Sequence, residues 1–475
     1  MSSAKPGRHV LTDWRPEDPA FWDSRGKALA ARNLWISIPN LLLAFSVWMV
    51  WSMVVAKLKL IGFSFTTDQL FWLTALPALS GATLRIFYSF LVPILGGRLW
   101  TTLSTLSLLV PAIGIGLAVQ NPATPYWTFV LLALLCGFGG GNFASSMSNI
   151  SFFYPKKEKG NALALNAGFG NLGVSVMQFL VPVVITLGLF APVIGAPQIA
   201  VENGVRSEIW LQNAGFVWVP FIIASAVAAW FGMNDIASAK ASFSSQAVVF
   251  KRKHNWVMCW LYVGTFGSFI GFSAAFPLLM KTLFPEVNAL QFAFLGPLVG
   301  AGSRALTGWV SDKWGGEHVT HYVFLALSLG VLAVLHSVGA FGAEPSFAFF
   351  FASFMWLFAW TGIGNASTFQ MIPAIMRSDM PRLMPAADPA ARLKAAEMES
   401  AAIVGFSSAI GAYGGFFIPK AFGDSLKATG GPETALFIFL AFYLSCVAVN
   451  WIFYGRKASM LHAGAQSTAF KVPAE

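Results

Sequence analysis

The chain of 475 residues is 56% hydrophobic and only 11% charged, whereas about a quarter of the residues in an ordinary soluble domain carry a charge. Too few polar side chains remain to cover such a core in water. The composition therefore excludes a soluble globular enzyme and predicts a polytopic membrane protein. The net charge of +10 fits positive loops on one side of a membrane, and we expect no nucleic-acid partner.

Twelve apolar segments are long enough to cross about 30 Å of hydrocarbon as helices. A polar arm over 1–33 precedes them, and we expect no cleaved signal there. The first six predicted spans are 34–56, 67–94, 99–119, 126–152, 161–187 and 210–234. A linker over 236–255 follows. The second six predicted spans are 256–280, 288–311, 321–341, 345–373, 400–422 and 432–454. This predicts an all-α membrane protein with two six-helix bundles over 34–235 and 256–455 and a tail over 456–475.

The basic residues predict the orientation of these spans. Twenty-two Lys and Arg residues fall on the side of the two termini and six fall on the other side. Because cytoplasmic loops carry the excess of positive charge, we expect both termini to be cytoplasmic.

The two bundles share an internal repeat. Arg85 is followed eleven residues later by Gly96-Gly97, and Arg304 is followed at the same interval by Gly315-Gly316. Two other pairs recur, Gly141-Asn142 as Gly364-Asn365 and Gly168-Phe169 as Gly405-Phe406. Repeated halves are typical of secondary transporters, whose sites lie near the bilayer midplane between the repeats.

Arg85 and Arg304 are the two basic residues that lie well inside predicted spans, whereas the other basic residues fall in loops or at span ends. Eleven helical residues measure about 16 Å, so both lie near the centre of the bilayer. Every acidic residue falls in a loop or at a span end. The histidines fall in polar segments or, in the case of His336, near the end of a span, so none lies near the centre of the bilayer. Two central cations without an anion predict an anionic substrate held by two guanidinium groups. The alternative is that each arginine binds backbone carbonyls or extends along its own helix.

Five further side chains are candidates for the walls of this site. Asn171 reaches the depth of the arginines and could donate an amide N–H to an oxyanion, although a hydrogen bond between helices is equally expected. Tyr262 and Phe266 lie one turn apart on one helix face. Phe143 and Phe369 lie beside the two Gly-Asn pairs. Ordinary packing is the alternative for each aromatic residue.

Other patterns indicate neither a cofactor nor a metal. Residues 168–173 match the dinucleotide-binding pattern G-x-G-x-x-G, but they follow no strand and lie inside an apolar span. These glycines are predicted to let helices approach closely, and to bend or slide during transport. The cysteines have no metal-ligand spacing and are predicted to be small core residues, Cys136, Cys259 and Cys446.

Three segments resemble the signature of the nitrate/nitrite porter family, NarK type, of the major facilitator superfamily: 141–147, 152–157 and 167–178. The likeness extends to 32–37, 66–70 and 411–419 and is looser over 12–22. It implies twelve helices in two halves related by a pseudo-two-fold axis, and transport of nitrate and nitrite across a bacterial inner membrane, as in nitrate assimilation. It also assigns substrate contacts to Arg85, Arg304, Asn171 and Tyr262, with aromatic walls at Phe143, Phe266 and Phe369.

Exchange of nitrate for nitrite is the expected mechanism. Entry of a lone anion into a negative cell costs about 2.3 kcal/mol per 100 mV, and a one-for-one exchange avoids this cost. Proton symport is the alternative, although no central carboxylate or histidine is available to carry the proton. The alternatives from other classes are a membrane-bound enzyme, an anion-sensing receptor and an anion channel. The expected partners are nitrate, nitrite and membrane lipid, the expected state is a monomer, and no cofactor is expected.

Overall fold

The computed structural model describes residues 9–189, 191–202, 204–239 and 247–456. Within these ranges, eleven helices are long and apolar enough to cross a membrane, and a shorter, interrupted helix occupies the eighth predicted span. The start of the predicted arm, part of the linker and the tail beyond Arg456 lie outside the described residues.

Twelve helical segments follow one another in two halves. The N-terminal half contains α1 (Pro19–Ile61), α2 (Thr67–Leu95), α3 (Gly97–Ala118), α4 (Tyr126–Phe153), α5 (Lys156–Val184) and α6 (Asn213–Gly232). The C-terminal half contains α7 (Lys253–Leu283), α8 (Leu295–Leu306 and Gly308–Trp314), α9 (Gly316–Ser337), α10 (Phe347–Leu383), α11 (Pro389–Thr429) and α12 (Glu433–Gly455).

Two small strand pairs mark the two ends of the bundle. Near the start of the chain, β1 (Val10–Leu11) pairs in parallel with β4 (Asp235–Ile236), which follows α6. Between α5 and α6, β2 (Gln198–Glu202) and β3 (Val205–Ile209) form an antiparallel hairpin. We call the end that carries β1 and β4 the terminal side and the opposite end the hairpin side. Short helical turns cover Ala191–Ile194, Ala247–Lys251 and Ala289–Phe292.

Two helices, α1 and α11, begin more than ten residues earlier than the apolar runs predict. The Asp18 side chain accepts hydrogen bonds from the backbone N–H groups of Ala20 and Phe21, and Pro19 takes the first position of α1. Asp388 caps α11 in the same way, with Pro389 at its first position. An aspartate cap followed by proline is a strong start signal, so helices extend through polar stretches that the hydropathy pattern assigns to the arm and to a loop.

The repeat in the sequence corresponds to a repeat in the backbone. Gly96 ends α2 with φ of 88°, and Gly315 ends α8 with φ of 83°. A positive φ is readily adopted only by glycine, so both helices stop at the equivalent residue. Each break lies eleven residues after an arginine, which gives Arg85 and Arg304 equivalent positions in the two halves.

Small residues allow close packing within the N-terminal half. A Cβ added to Gly140 of α4 would lie 2.8 Å from the Gly81 Cα of α2, and one added to Gly139 would lie 2.1 Å from the Ala44 carbonyl oxygen of α1. Contacts between the halves run mainly along α2 with α11, α5 with α8, and α1 with α7. The cysteines at 136, 259 and 446 are buried and free, as the sequence predicts.

Candidate functional site

Arg85 lies in the middle of α2 with only 1% of its surface exposed. Its Nε donates to the Gly140 carbonyl of α4 at 2.8 Å, and its Nη1 donates across the half interface to the Ser408 carbonyl of α11 at 3.1 Å. The remaining nitrogen, Nη2, has no hydrogen-bond partner within the described residues. Carbonyl binding therefore occupies part of this guanidinium, and one donor stays free to bind a ligand.

Three aromatic rings surround the Arg85 guanidinium. Its Cζ lies 4.7 Å from the ring centroid of Phe143 in α4, 5.0 Å from that of Phe266 in α7 and 5.0 Å from that of Trp48 in α1. Phe143 and Phe266 belong to opposite halves and stack with their centroids 6.2 Å apart. Rings placed in this way attract a cation through their faces, which holds the guanidinium at the half interface.

A chain of aromatic contacts connects Arg85 to Arg304. Tyr262 stacks on Phe266 with ring centroids 5.3 Å apart and meets the edge of Phe369 at 4.7 Å. Phe369 in turn lies 5.3 Å from the Arg304 Cζ. Residues 263–267 form a π-helical turn of α7, a distortion that is frequent at functional sites. Tyr262 also interacts electrostatically with both arginines. The two arginines and the four predicted aromatic residues therefore form one continuous cluster.

Asn171 lies in α5 and is fully buried. Neither its Nδ2 nor its Oδ1 has a hydrogen-bond partner within the part of the chain that the structure describes. The alternative in which this amide joins two helices through a hydrogen bond is therefore not realised. Burying an amide without partners costs about 1–3 kcal/mol, which favours a role in binding a ligand.

The predicted polar residues share one property. Among the described residues, Arg85 Nη2, Arg304 Nη1 and Asn171 Nδ2 are buried without a hydrogen-bond partner, and the buried Tyr262 hydroxyl, which interacts with Arg304, donates to no acceptor. They come from α2, α8, α5 and α7, so both halves contribute two donors. Several free donors suit an acceptor that carries several oxygens.

No carboxylate neutralises these arginines within the described residues. The ion pairs that the structure describes lie toward the terminal or the hairpin side, for example Arg252 with Glu399 at 2.7 Å and Arg98 with Asp235 at 3.4 Å. Outside the spans, hydrogen bonding to Glu399 raises the pKa of Arg252. Arg304 is partly exposed, in contrast to the fully buried Arg85.

The halves make closer contact on the hairpin side than on the terminal side. Gly415 of α11 packs so tightly on α2 of the other half that an added Cβ would lie 2.7 Å from the Ala78 Cβ, on the hairpin side of Arg85. By contrast, a Cβ added to Gly168 or Gly405 would meet nothing within 4 Å. The expectation of close helix approach therefore does not hold at Gly168, which faces open space on the terminal side of Asn171.

Several contacts of the site are absent from the sequence prediction. Trp48 is fixed beside Arg85 by donating its indole N–H to the Pro77 carbonyl at 2.7 Å. Tyr413 of α11 exchanges a hydrogen bond with Thr83 of α2 at 2.8 Å, one turn from the Ser408 carbonyl. Spacing along one helix predicts the depth of a residue, but these contacts depend on how different helices rotate against one another.

Comparison with known proteins identifies the family. Residues 36–387 match the family model described as Major Facilitator Superfamily. The chain belongs to this superfamily. It is 54% identical over 455 residues to "Nitrate/nitrite transporter NarU" of Salmonella typhimurium, covering 95% of this chain and 97% of the relative. It is also 42% identical over 454 residues to "Probable nitrate/nitrite antiporter NarK2" of Thermus thermophilus, covering 94% and 97%. The resemblance to NarK-type porters is confirmed.

Solved structures support the same fold. A bacterial homolog of the human lysosomal transporter Spinster, in an inward-facing and occupied conformation, aligns with a TM-score of 0.60 and 15% identity, covering 88% of this chain and 95% of that chain. The nucleoside transporter NupG aligns with a TM-score of 0.60 and 11% identity, covering 89% and 100%. At these identities the similarity shows the major facilitator fold and nothing about the substrate.

Proposed function

We propose that this protein exchanges nitrate for nitrite across a bacterial inner membrane by alternating access. The observation that carries the proposal is the pair of repeat-related arginines, Arg85 and Arg304, which have free donors and no carboxylate among the described residues. The relatives at 42–54% identity, named as nitrate/nitrite transporters or antiporters, support the same substrates.

The geometry suits a small planar oxyanion. Nitrate presents three acceptor oxygens in one plane, and each guanidinium offers N–H groups in a plane of its own. The Tyr262 hydroxyl and the Asn171 amide supply further donors without losing a protein partner. Phe143, Phe266 and Phe369 line the path between the arginines and exclude water, which strengthens each charged hydrogen bond.

The two positive charges also explain why exchange is favoured. At a separation of about 8 Å and an effective dielectric constant near 20, two unit charges repel by about 2 kcal/mol. An anion between them removes this repulsion, so closure of the halves is easier with cargo than without it. The return of the empty carrier is then slow, and the carrier crosses in both directions with an anion bound.

We propose that the terminal side is cytoplasmic and the hairpin side periplasmic, because the excess of Lys and Arg lies on the terminal side. The protein acts as a monomer in lipid, since one chain supplies both arginines and the aromatic residues between them.

Counterflow in proteoliposomes tests this function. Vesicles loaded with nitrate are expected to accumulate external nitrite transiently, whereas vesicles loaded with gluconate are expected to take up almost none. A channel would give no transient accumulation. Nitrate uptake driven by a pH gradient into vesicles without an internal anion would overturn exchange in favour of proton symport.

A further inference from the structure

The hairpin side carries a second pair of cations related by the repeat. Lys57 lies near the end of α1 and Lys281 near the end of α7, the first helix of each half. Their offset of 224 residues is close to the 223 that relates Gly141-Asn142 to Gly364-Asn365. Each lysine side chain is 19% exposed, so the pair lies at the half interface and is largely shielded from solvent.

Unlike the central arginines, these lysines share a carboxylate. Glu202, the last residue of β2, forms ion pairs with Lys57 at 3.5 Å and with Lys281 at closer range. Burial alone would raise the pKa of Glu202, but the hydrogen bond from Lys281 and the charge of Lys57 outweigh it and lower that pKa. The carboxylate therefore stays charged and bridges the two halves.

The hairpin that carries Glu202 is firmly anchored. The side chain of Gln198 accepts from the Leu211 backbone N–H at 3.0 Å and donates to Gln212 at 2.8 Å. Ala200 and Ile209 are 3% and 6% exposed. This anchoring holds Glu202 between the ends of α1 and α7.

A cavity of about 230 Å³ lies beside this ion-pair cluster. Its polar lining comes from Lys59 and Thr67 of the N-terminal half and from Lys281 and Thr282 of the C-terminal half, and aliphatic side chains form the rest of the wall. Lys59 donates to the Thr67 hydroxyl at 3.1 Å. The three lysines and Glu202 together carry a net charge of +2, and the cavity is far larger than an ion of four atoms.

We propose that this cavity is an outer anion-binding site, in which Lys59 and Lys281 hold a small oxyanion and Glu202 is a tethered carboxylate that competes with it for Lys281. The inference rests on the proposed transport of anions and on the periplasmic position of the hairpin side. An external anion would bind here before it reaches the central arginines. Its arrival would release Glu202, loosening the bridge between the halves.

If an external anion and Glu202 compete for Lys281, then removing a lysine and removing the carboxylate should change the KM for nitrate in opposite directions. In right-side-out vesicles, Lys59→Gln is expected to raise the KM for external nitrate by about two- to fivefold with little change in kcat, as for the loss of one exposed charge contact. Glu202→Gln is expected to lower KM because it removes the competitor. Arg206→Gln is the matched control, since Arg206 lies exposed on the same hairpin and outside the cavity lining. Parallel changes in Lys59→Gln and Glu202→Gln would overturn the proposal.

A direct binding measurement separates this site from the central one. Thr282→Cys is introduced into a chain that also carries Arg85→Lys and Arg304→Lys, and its reaction with a maleimide is followed in sodium nitrate and in sodium gluconate. Nitrate is expected to slow the reaction by about threefold or more, and Lys59→Gln with Lys281→Gln should abolish the effect. Equal rates in the two salts, or protection that survives loss of both lysines, would refute the outer site. Because the central arginines are replaced, failure of the proposed transport function would leave this result unchanged.

Discussion

Replacing Arg85 with lysine keeps the positive charge of the central site but removes its fork of donors. In the native protein, Nε and Nη1 are bound to the carbonyls of Gly140 and Ser408, and Nη2 is free. A single ammonium cannot reach carbonyls on α4 and α11 and also an anion beside them. Either the anion or a buried carbonyl therefore loses its donor.

The size of the effect follows from that one lost bond. A hydrogen bond that involves a charged group contributes about 1.5–3 kcal/mol, which corresponds to about 10- to 150-fold in affinity. We expect the Arg85→Lys variant to show this loss in the nitrate concentration that gives half-maximal counterflow. Loss of the planar contact with Phe143 and Phe266 acts in the same direction.

Arg98→Lys provides a matched control for this substitution. Arg98 also lies over an aromatic ring, Trp230 at 4.4 Å, and also donates to a carbonyl, but it lies at the terminal side and pairs with Asp235. This variant should retain the parental affinity. An Arg85→Lys variant within threefold of the parent would refute the role assigned to the guanidinium. Equal losses in both variants would indicate general destabilisation.

Three further results are expected. Tyr262→Phe should weaken nitrate binding about tenfold yet leave the melting temperature nearly unchanged, because the hydroxyl donates to no acceptor among the described residues while the ring contacts remain. A fall in stability with normal affinity would contradict this. Gly96→Ala should destabilise the protein by about 1–3 kcal/mol in thermal unfolding, since its Cβ would lie 2.5 Å from an Asp235 oxygen. The loss of stability should exceed that of Gly430→Ala, because Gly430 also has a positive φ but its added Cβ would meet nothing within 4 Å. Because the pKa of Glu202 is lowered, its ion pairs persist into mildly acidic solution and are lost as the pH falls through that lowered pKa. The KM for external nitrate should therefore stay constant in mild acid and fall in stronger acid, and the same fall in Glu202→Gln would argue against this assignment.

The sequence predicts the depth of the site better than its contacts. Composition and apolar run lengths are enough to predict twelve spans, and the equal spacing of Arg85 and Arg304 from their Gly-Gly ends places both in mid-membrane. The structure adds that Gly96 and Gly315 end their helices through a positive φ. The predicted and observed helix ends agree because the rise per residue of a helix is constant, so counting residues measures distance along one helix.

Contacts between helices could not be predicted in the same way. The partners of Arg85 at Gly140, Ser408 and Trp48 depend on helix rotation and on how the halves meet. The early start of α1 at Pro19 depends on a capping aspartate, which a hydropathy pattern ignores. The interruption of α8 at Thr307 likewise carries no hydropathy signal.

The strand pair on the terminal side joins the start of the chain to the segment after α6 and so connects the two ends of the N-terminal half. The His9 and Leu11 carbonyls accept from the backbone N–H groups of Asp235 and Ala237 at 2.9 and 3.0 Å, while Trp14 donates to the Phe152 carbonyl at 3.0 Å. The two bonds of the strand pair can form only after residue 237 has been synthesised, so the start of the chain is joined to the end of α6 as synthesis of the second six helices begins. A bundle fastened head to tail in this way can tilt as one rigid piece without its own helices coming apart.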